Sequence, residues 1–139
     1  MRKKMPVSEI MTKNVITLST SDDLVTAEER FKKYRIRHIP VVEGKEVVGM
    51  LSYTDLLRIS FADAVVDSGE PTDSVIYDLF NISQIMVSDV VSVTSKTPIK
   101  DVAQFLAGKE FHALPVVDEG KLVGIVTTTD LINYLLDLY

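Results

Sequence analysis

Two stretches of the chain place chemically useful side chains at the same spacing: Gly49-Met-Leu-Ser52-Tyr-Thr54-Asp55 and Gly124-Ile-Val-Thr127-Thr-Thr129-Asp130. In each stretch, small hydroxyls and a carboxylate stand where an apolar strand pattern changes into a helical one. Hydroxyls and the first N–H groups of a helix can donate hydrogen bonds to an anion. A carboxylate only accepts hydrogen bonds, which suits the paired hydroxyls of a ribose. These are the groups that a nucleotide needs.

The same residues also have a purely structural interpretation. A threonine or aspartate before an apolar helix is an ordinary N-cap, which stabilises the helix by about 1 kcal/mol. A glycine in a strand permits close approach by a ligand or by another part of the protein. Gly49 and Gly124 therefore fit a binding site and simple packing equally well.

The chain matches itself along most of its length. Residues 11–57 align with residues 86–132 at a constant offset of 75, with ten identical pairs among 47. The identities cluster at Pro-Val-Val (40–42 and 115–117), Val-Gly (48–49 and 123–124) and Thr-Asp-Leu (54–56 and 129–131). Such self-similarity indicates two copies of one structural unit, and hence two related sites.

Each copy is predicted to fold as β-α-β-β-α. Short β-branched runs predict strands over 15–18, 39–42 and 47–52 in the first copy, and over 90–93, 114–117 and 122–127 in the second. Apolar residues at helical spacing predict a helix between the first two strands and a closing helix in each copy. The residues that carry this pattern are Leu24, Ala27, Phe31, Tyr34, Leu56, Leu57 and Ile59, then Ile99, Val102, Ala103, Leu106, Leu131, Ile132, Leu135 and Leu136.

The copies define the domain organisation: repeat 1 over residues 5–60, a linker over 61–81 and repeat 2 over 82–139. Each repeat alone, at about 60 residues, would be marginally stable, so the two are expected to share a core. The linker carries Asp63, Asp67, Glu70, Asp73 and Asp78 without any Lys or Arg. We interpret it as acidic and partly helical, over 62–66 and 75–80. A partner-docking or cation-sensitive segment is the alternative.

Composition excludes several classes of protein. The apolar content of 46% and the charged content of 25% are those of an ordinary globular chain, and the absence of cysteine excludes disulfides and thiolate metal sites. A net charge of −5 argues against a general nucleic-acid binder or a binder of anionic membranes. The apolar runs, of about five residues, are far too short to cross a membrane. The basic N-terminus precedes no apolar signal segment, so a cytoplasmic location is expected.

The combined signature of Ile39-Pro-Val-Val42, a hairpin, the Gly49 to Asp55 stretch and its second copy resembles the cystathionine β-synthase (CBS) domain. The resemblance runs from about Met5 to the C-terminus and is that of a tandem CBS pair, or Bateman module. It implies an α/β (α+β) fold with the two repeats packed sheet to sheet about a pseudo-twofold axis. It also implies two clefts that commonly bind AMP, ADP, ATP or S-adenosylmethionine.

The resemblance assigns roles to individual positions. Asp55 and Asp130 match the family's ribose-binding aspartate. The neighbouring hydroxyl positions near ribose and phosphate are Ser52, Thr54, Thr127 and Thr129. Thr97 matches a threonine that often faces the ligand, and the first copy has Asp22 there. This departure makes the clefts unequal and favours the one that combines Asp55 with Thr97.

Phosphate recognition is expected from the residues that precede each Pro-Val-Val. The family pattern singles out Arg37, His38 and His112, with Arg35 and Lys109 nearby, whereas Ala113 departs from it. Arginine offers a planar fork that matches phosphate oxygens. The alternative is that these are solvated loop charges. Two histidines without cysteine make a poor metal site.

These observations favour a non-catalytic regulatory module that needs no cofactor and signals by conformation or assembly. It would act as a homodimer and on an effector protein; Leu131, Leu135 and Leu136 suit such an interface, although such residues more often belong to a core. A ligand-free interaction or dimerisation module is the alternative. Catalysis is disfavoured because the sequence shows no nucleophile or base triad beside the two aspartates. Nucleic-acid binding is a minor option.

Overall fold

The computed structural model describes residues 4–66, 79–109 and 111–139, with side chains described throughout these ranges except for residues 60–66. A 3-10 turn, Val7–Glu9, comes first in the chain. The strands are β1 (Leu18–Ser19), β2 (His38–Glu43), β3 (Glu46–Ser52), β4 (Ala113–Asp118) and β5 (Lys121–Thr127). The helices are α1 (Leu24–Tyr34), α2 (Tyr53–Val66), α3 (Ile82–Ile85), α4 (Ile99–Gly108) and α5 (Thr128–Asp137). The predicted mixture of α and β structure is confirmed.

The chain forms two compact units, and Ile16–Val90 is one of them. Its sheet has the order β1-β2-β3, with β1 parallel to β2 and β2 antiparallel to β3. The β2–β3 hairpin turns at Gly44, whose φ of 64° favours glycine. Helix α1 buries Phe31 and α2 buries Leu56 against this sheet. Ile82 of α3 completes the same hydrophobic cluster.

The other unit comprises the chain up to Val15 together with Val91–Tyr139. Its hairpin, β4–β5, is antiparallel and has the same register as β2–β3, with Val116 opposite Gly124 where the first hairpin has Val41 opposite Gly49. Val7, from the N-terminal turn, is fully buried in the same cluster as residues of α4 and the hairpin. The N-terminal turn thus belongs to the hydrophobic cluster formed by the second half of the chain.

The N-terminal part of each repeat, ahead of its first predicted strand, pairs with the hairpin of the other repeat. We call these parts, residues 5–14 and 82–89, the leading segments. Thr12 and Ile125 exchange two backbone hydrogen bonds, of 2.8 and 3.0 Å. Met50 and Val87 exchange the equivalent two, both of 2.9 Å. Each compact unit therefore contains a short segment taken from the far side of the repeat boundary.

The first strand of each copy is shorter than predicted. Only Leu18 and Ser19 pair as β1, opposite Val41 and Val42, and the second copy keeps a single bridge between Val93 and Val116. In this parallel register the residue before Leu18 faces Pro40, which has no N–H to donate. The proline before each Val-Val thus limits the ladder.

Some of the apolar residues at helical spacing are exposed. Leu57, Ile132, Leu135 and Leu136 have exposed fractions of 49%, 57%, 53% and 65%, and Tyr34 is 43% exposed. Helix α5 packs through Leu131 against the cluster that contains Val126, whereas its Ile132, Leu135 and Leu136 are exposed. The core interpretation of Leu135 and Leu136 is therefore wrong.

In the linker, α2 continues to Val66, in agreement with the predicted helix over 62–66. The predicted helical stretch 75–80 lies largely outside the described residues, as do the acidic residues between 67 and 78. Among the helices that the structure describes, none is both long and apolar enough to cross a membrane.

Candidate ligand-binding site

The junction between β3 and α2 holds the first group of predicted site residues. Ser52 is the last residue of β3, and its Oγ accepts a hydrogen bond of 3.0 Å from the backbone N–H of Asp55. The Asp55 side chain is 25% exposed, and its Oδ1 lies 3.5 Å from Nη1 of Arg58. Thr54 is exposed in the first turn of α2. We call this group, residues 52–55, the first junction.

The junction between β5 and α5, residues 127–130, repeats the arrangement and is the second junction. Oγ1 of Thr127 accepts a hydrogen bond of 3.2 Å from the backbone N–H of Asp130. Oδ2 of Asp130 accepts one of 2.9 Å from the backbone N–H of Thr127, which completes a capping box. Thr129 is exposed. The N-cap interpretation is thus confirmed for Thr127, and the hydroxyl of Ser52 makes the same contact in the first junction.

Capping does not exhaust the hydrogen-bonding capacity of these side chains. A hydroxyl that accepts from a helix N–H still carries its own hydrogen, which it can donate to an anion. The polar contacts of the two carboxylates use Oδ1 of Asp55 and Oδ2 of Asp130. A carboxylate has about four lone-pair positions on its two oxygens, so both can accept from a sugar hydroxyl as well.

Backbone hydrogen bonds bring the basic residues to the junctions. The N–H of Tyr53 donates to the carbonyl of Arg37 at 2.9 Å, and His38 faces Ser52 in the hairpin register. In the second unit, the N–H of Thr128 donates to the carbonyl of His112 at 3.0 Å. The hairpins therefore group the predicted hydroxyl, carboxylate and basic residues at one end of each sheet.

Each strand glycine makes room for a methionine. A Cβ built on Gly49 would overlap the side chain of Met86, and one built on Gly124 would overlap Met11 and lie 3.0 Å from the backbone oxygen of Thr12. Met11 and Met86 are aligned positions of the repeat. The packing interpretation of the two glycines is confirmed.

Thr97 and Asp22 close equivalent turns. Oγ1 of Thr97 accepts from the backbone N–H of Thr94 at 3.1 Å, and Oδ2 of Asp22 accepts from the backbone N–H of Ser19 at 2.8 Å. Asp22 also lies 3.4 Å from Nη1 of Arg30. Asp55 and Thr97 belong to different compact units, so their combination in one site stays a prediction.

Sequence reasoning missed the contribution of the leading segments. Val87 pairs with Met50, two residues before Ser52, and its side chain is 45% exposed. Thr12 holds the equivalent place beside Ile125 in the second unit. The signal was present, because the repeat identities begin at Met11 and Met86, ahead of the first strands.

Within residues 4–66, 79–109 and 111–139, no three histidine, aspartate or glutamate side chains come together in a way that could hold a metal ion. The chemical capacity of the two junctions is that of hydrogen bonding and charge.

Comparison with protein families identifies the fold. The CBS domain model matches twice, over residues 7–62 and 82–137. The chain therefore belongs to the CBS domain family and carries a tandem pair of these domains.

Curated relatives agree with this assignment. The CBS domain-containing protein YhcV of Bacillus subtilis is 30% identical over 125 residues, which cover 90% of this chain and 81% of that protein. The uncharacterized protein MJ1225 of Methanocaldococcus jannaschii is 35% identical over 131 residues. That match covers 94% of this chain but 42% of MJ1225, so the chain spans less than half of that relative.

Solved structures share the fold over nearly the whole chain. AcuB of Vibrio cholerae matches with a TM-score of 0.81 at 26% identity, over 98% of this chain and 93% of that one. The CBS domain pair of MJ0100, in complex with 5′-methylthioadenosine and S-adenosylmethionine, gives 0.79 at 24% identity, over 99% and 100%. CBSX2 in complex with AMP gives 0.78 at 24% identity, over 96% and 97%.

Proposed function

We propose that this CBS pair is a non-catalytic regulatory module that binds an adenosine-containing ligand at its two junctions. The candidate ligands are AMP, ADP, ATP and S-adenosylmethionine. The observation that carries the proposal is the twofold occurrence of one arrangement: a capping hydroxyl, a partly exposed carboxylate and a basic loop at the same end of a hairpin. The complexes of MJ0100 and CBSX2, which share the fold, contain ligands of this class.

Each chemical part of the ligand has a matching group. Asp55 and Asp130 accept hydrogen bonds from the ribose hydroxyls, and the hydroxyls of Ser52 and Thr127 donate hydrogen bonds to the sugar or phosphate. Arg37, His38 and His112 supply the charge for phosphate, and Thr54 and Thr129 lie in the first turn of the helices. The exposed apolar side chain of Val87 offers a surface for the base beside the first junction.

The effect of ligand binding reaches the rest of the protein through the leading segments and through assembly of the chains. A ligand at the first junction lies beside Val87, and one at the second lies beside Thr12, so each ligand touches chain segments that are far apart in sequence. We further propose that the module forms a homodimer and acts on an effector protein. The exposed apolar residues of α5, Leu135 and Leu136, supply a surface of the right chemistry.

A ligand-free interaction module is the second candidate. It is favoured by the fact that Ser52 and Thr127 already cap their own helices and that the glycines already accommodate methionines. Under this hypothesis the junctions are structural and the exposed face of α5 is the functional surface.

Thermal unfolding in the presence of AMP, ADP, ATP, S-adenosylmethionine or NAD distinguishes the ligand-binding module from the ligand-free interaction module. The samples are the wild type shown to be ligand-free, the double variant Asp55→Asn, Asp130→Asn, and the control Asp101→Asn, which removes an exposed carboxylate from α4. Asparagine keeps an acceptor oxygen for the cap but loses the charge that strengthens a bond to ribose. A ligand at 100 times its Kd adds about 2.7 kcal/mol, which raises the Tm by several degrees.

The proposal predicts that at least one adenosine compound raises the Tm of the wild type and the control, and that the double variant loses most of the shift. No shift in any sample, with a dimer by sedimentation, would transfer the assignment to the interaction module. An equal shift in the double variant would place the ligand elsewhere on the molecule.

A further inference from the structure

The two junctions share their backbone geometry but differ one helical turn further on. Arg58, in α2, follows Asp55 by three residues, and the aligned position in α5 is Asn133. Residues three apart on a helix are neighbours on its surface. Arg58 lies 3.5 Å from Asp55 across that spacing. The first junction therefore carries a cation beside its carboxylate where the second carries a neutral amide.

The ion pair between Arg58 and Asp55 is easily exchanged. The Arg58 side chain is 74% exposed and the Asp55 side chain 25% exposed. An ion pair so open to water contributes little to stability. A ligand hydroxyl that takes the carboxylate can displace the guanidinium at little cost, and the guanidinium is then free to bind another acceptor.

A phosphate on the same ligand would supply that acceptor. A guanidinium presents a planar fork of donors that matches phosphate oxygens, whereas an asparagine amide carries no charge. The loop beside the first junction adds Arg35 and Arg37, both exposed. The corresponding loop of the second unit offers Lys109 and His112. The loop beside the first junction is thus the more positive of the two loops, just as position 58 is more positive than position 133.

We propose that Arg58 determines the ligand preference of the first junction, selecting adenosine ligands that carry phosphate, and that the second junction discriminates less between ligands with and without it. This inference rests on the proposed function, since it assigns a ligand class to each of the same two sites. Arg58 exchanges Asp55 for a ligand phosphate when the ribose binds.

Calorimetric titration of two reciprocal variants tests the proposal. Asp130→Asn serves as the background, so that the first junction is the tighter site and its binding is measured at low ligand concentration. In this background Arg58→Asn installs the residue of the second copy, and Lys45→Asn, in the β2–β3 turn at the far end of the hairpin, removes the same charge as a control. The probes are adenosine, AMP and ADP at 0.15 M salt. The reciprocal variant, Asn133→Arg in the background Asp55→Asn, is titrated with the same probes.

We expect Arg58→Asn to weaken the binding of AMP and ADP about tenfold or more and to leave the binding of adenosine unchanged or slightly tighter. Lys45→Asn should change the ratio of nucleotide affinity to adenosine affinity by less than twofold. Asn133→Arg should strengthen AMP and ADP relative to adenosine. Equal effects on adenosine and ADP, or no effect of Arg58→Asn, would overturn the assignment of Arg58 while leaving the proposed function intact. Failure of the Asp130→Asn background to bind any probe, with binding by the wild type, would also overturn it. Failure of the wild type itself to bind would remove the proposed function and this inference together.

Discussion

At the scale of single residues, the capping hydroxyls show how one side chain serves both fold and ligand. Ser52 and Thr127 each accept a hydrogen bond from a helix N–H. This structural role would explain a hydroxyl at each position even if no ligand bound there. The carboxylate of Asp130 takes part in the capping box and that of Asp55 meets Arg58, but each partly exposed carboxylate keeps lone pairs that can accept further hydrogen bonds. The aspartates therefore carry the functional argument.

The glycines give a prediction about stability. Gly124→Ala should destabilise the protein by about 1–3 kcal/mol, and more than Gly49→Ala, because overpacking is most costly where the obstacle is rigid. A Cβ at position 124 would meet the backbone oxygen of Thr12 at 3.0 Å, whereas at position 49 the nearest atoms belong to the flexible side chain of Met86. Urea unfolding measures both. Gly108→Ala, where nothing lies within 4 Å, is the control and should cost little. A larger loss for Gly49→Ala would contradict this packing.

Two surface carboxylates predict the response to acid. Hydrogen bonds from Thr26, first from its side chain and then from its backbone N–H, lower the pKa of Asp23 below its ordinary value. Hydrogen bonds from Ser95, in the same order, lower the pKa of Asp118. A lowered pKa in the folded state means that the stabilisation is complete above the unfolded value, about 3.9, and is lost as pH falls through the folded one.

The variant Asp23→Asn, Asp118→Asn should therefore lose less stability than the wild type as the pH falls below about 4. Asparagine retains an acceptor oxygen for each N–H but does not titrate. Thermal unfolding between neutral and acid pH gives both curves. Superimposable acid limbs would show that these two hydrogen bonds contribute nothing to acid sensitivity.

At the scale of elements, local patterns predicted the hairpins well. The strands expected over 39–42 and 47–52 are His38–Glu43 and Glu46–Ser52, because β-branched runs and a glycine turn are written in adjacent residues. The first strands were overestimated since their length depends on a partner strand. The register places Pro40 opposite the residue before Leu18, and this long-range pairing is invisible to local reasoning.

The faces of the closing helices show the same limit. Helical spacing identifies apolar positions, but it does not show how many of them a neighbour covers. In α5, Leu131 packs against the core cluster while Leu135 and Leu136 remain exposed. Sequence therefore predicted the helix correctly and its buried face incompletely.

At the scale of the whole molecule, sequence repeats and compact units are offset from each other. The compact units divide at Val15/Ile16 and Val90/Val91, because the segment before each first strand belongs with the opposite hairpin. Apart from Thr97, the residues carried over from the family resemblance lie at or beside the junctions, but Val87 and Thr12 were missed. Their contribution comes from backbone pairing across more than 35 residues of sequence, which no local pattern encodes.

The offset gives the proposed function a structural basis. Under the proposed function, a ligand at either junction would bind residues of one repeat beside the leading segment of the other, so occupancy would stabilise the pairing of Met50 with Val87 or of Thr12 with Ile125. In a molecule built from a duplicated unit, two such junctions give two candidate sites. The number of ligands bound per chain is therefore a property of the whole molecule.

Calorimetric titration of the ligand-free protein with the adenosine compound that gives the largest thermal shift tests this claim most directly. We expect two ligands per chain for the wild type, and for each of Asp55→Asn and Asp130→Asn one ligand at the original affinity and one bound about tenfold or more weaker, because loss of a charge-assisted hydrogen bond weakens its own site. The Asp101→Asn control should still bind two. Binding of two ligands with unchanged affinity in both aspartate variants, or no binding by the wild type, would contradict the account.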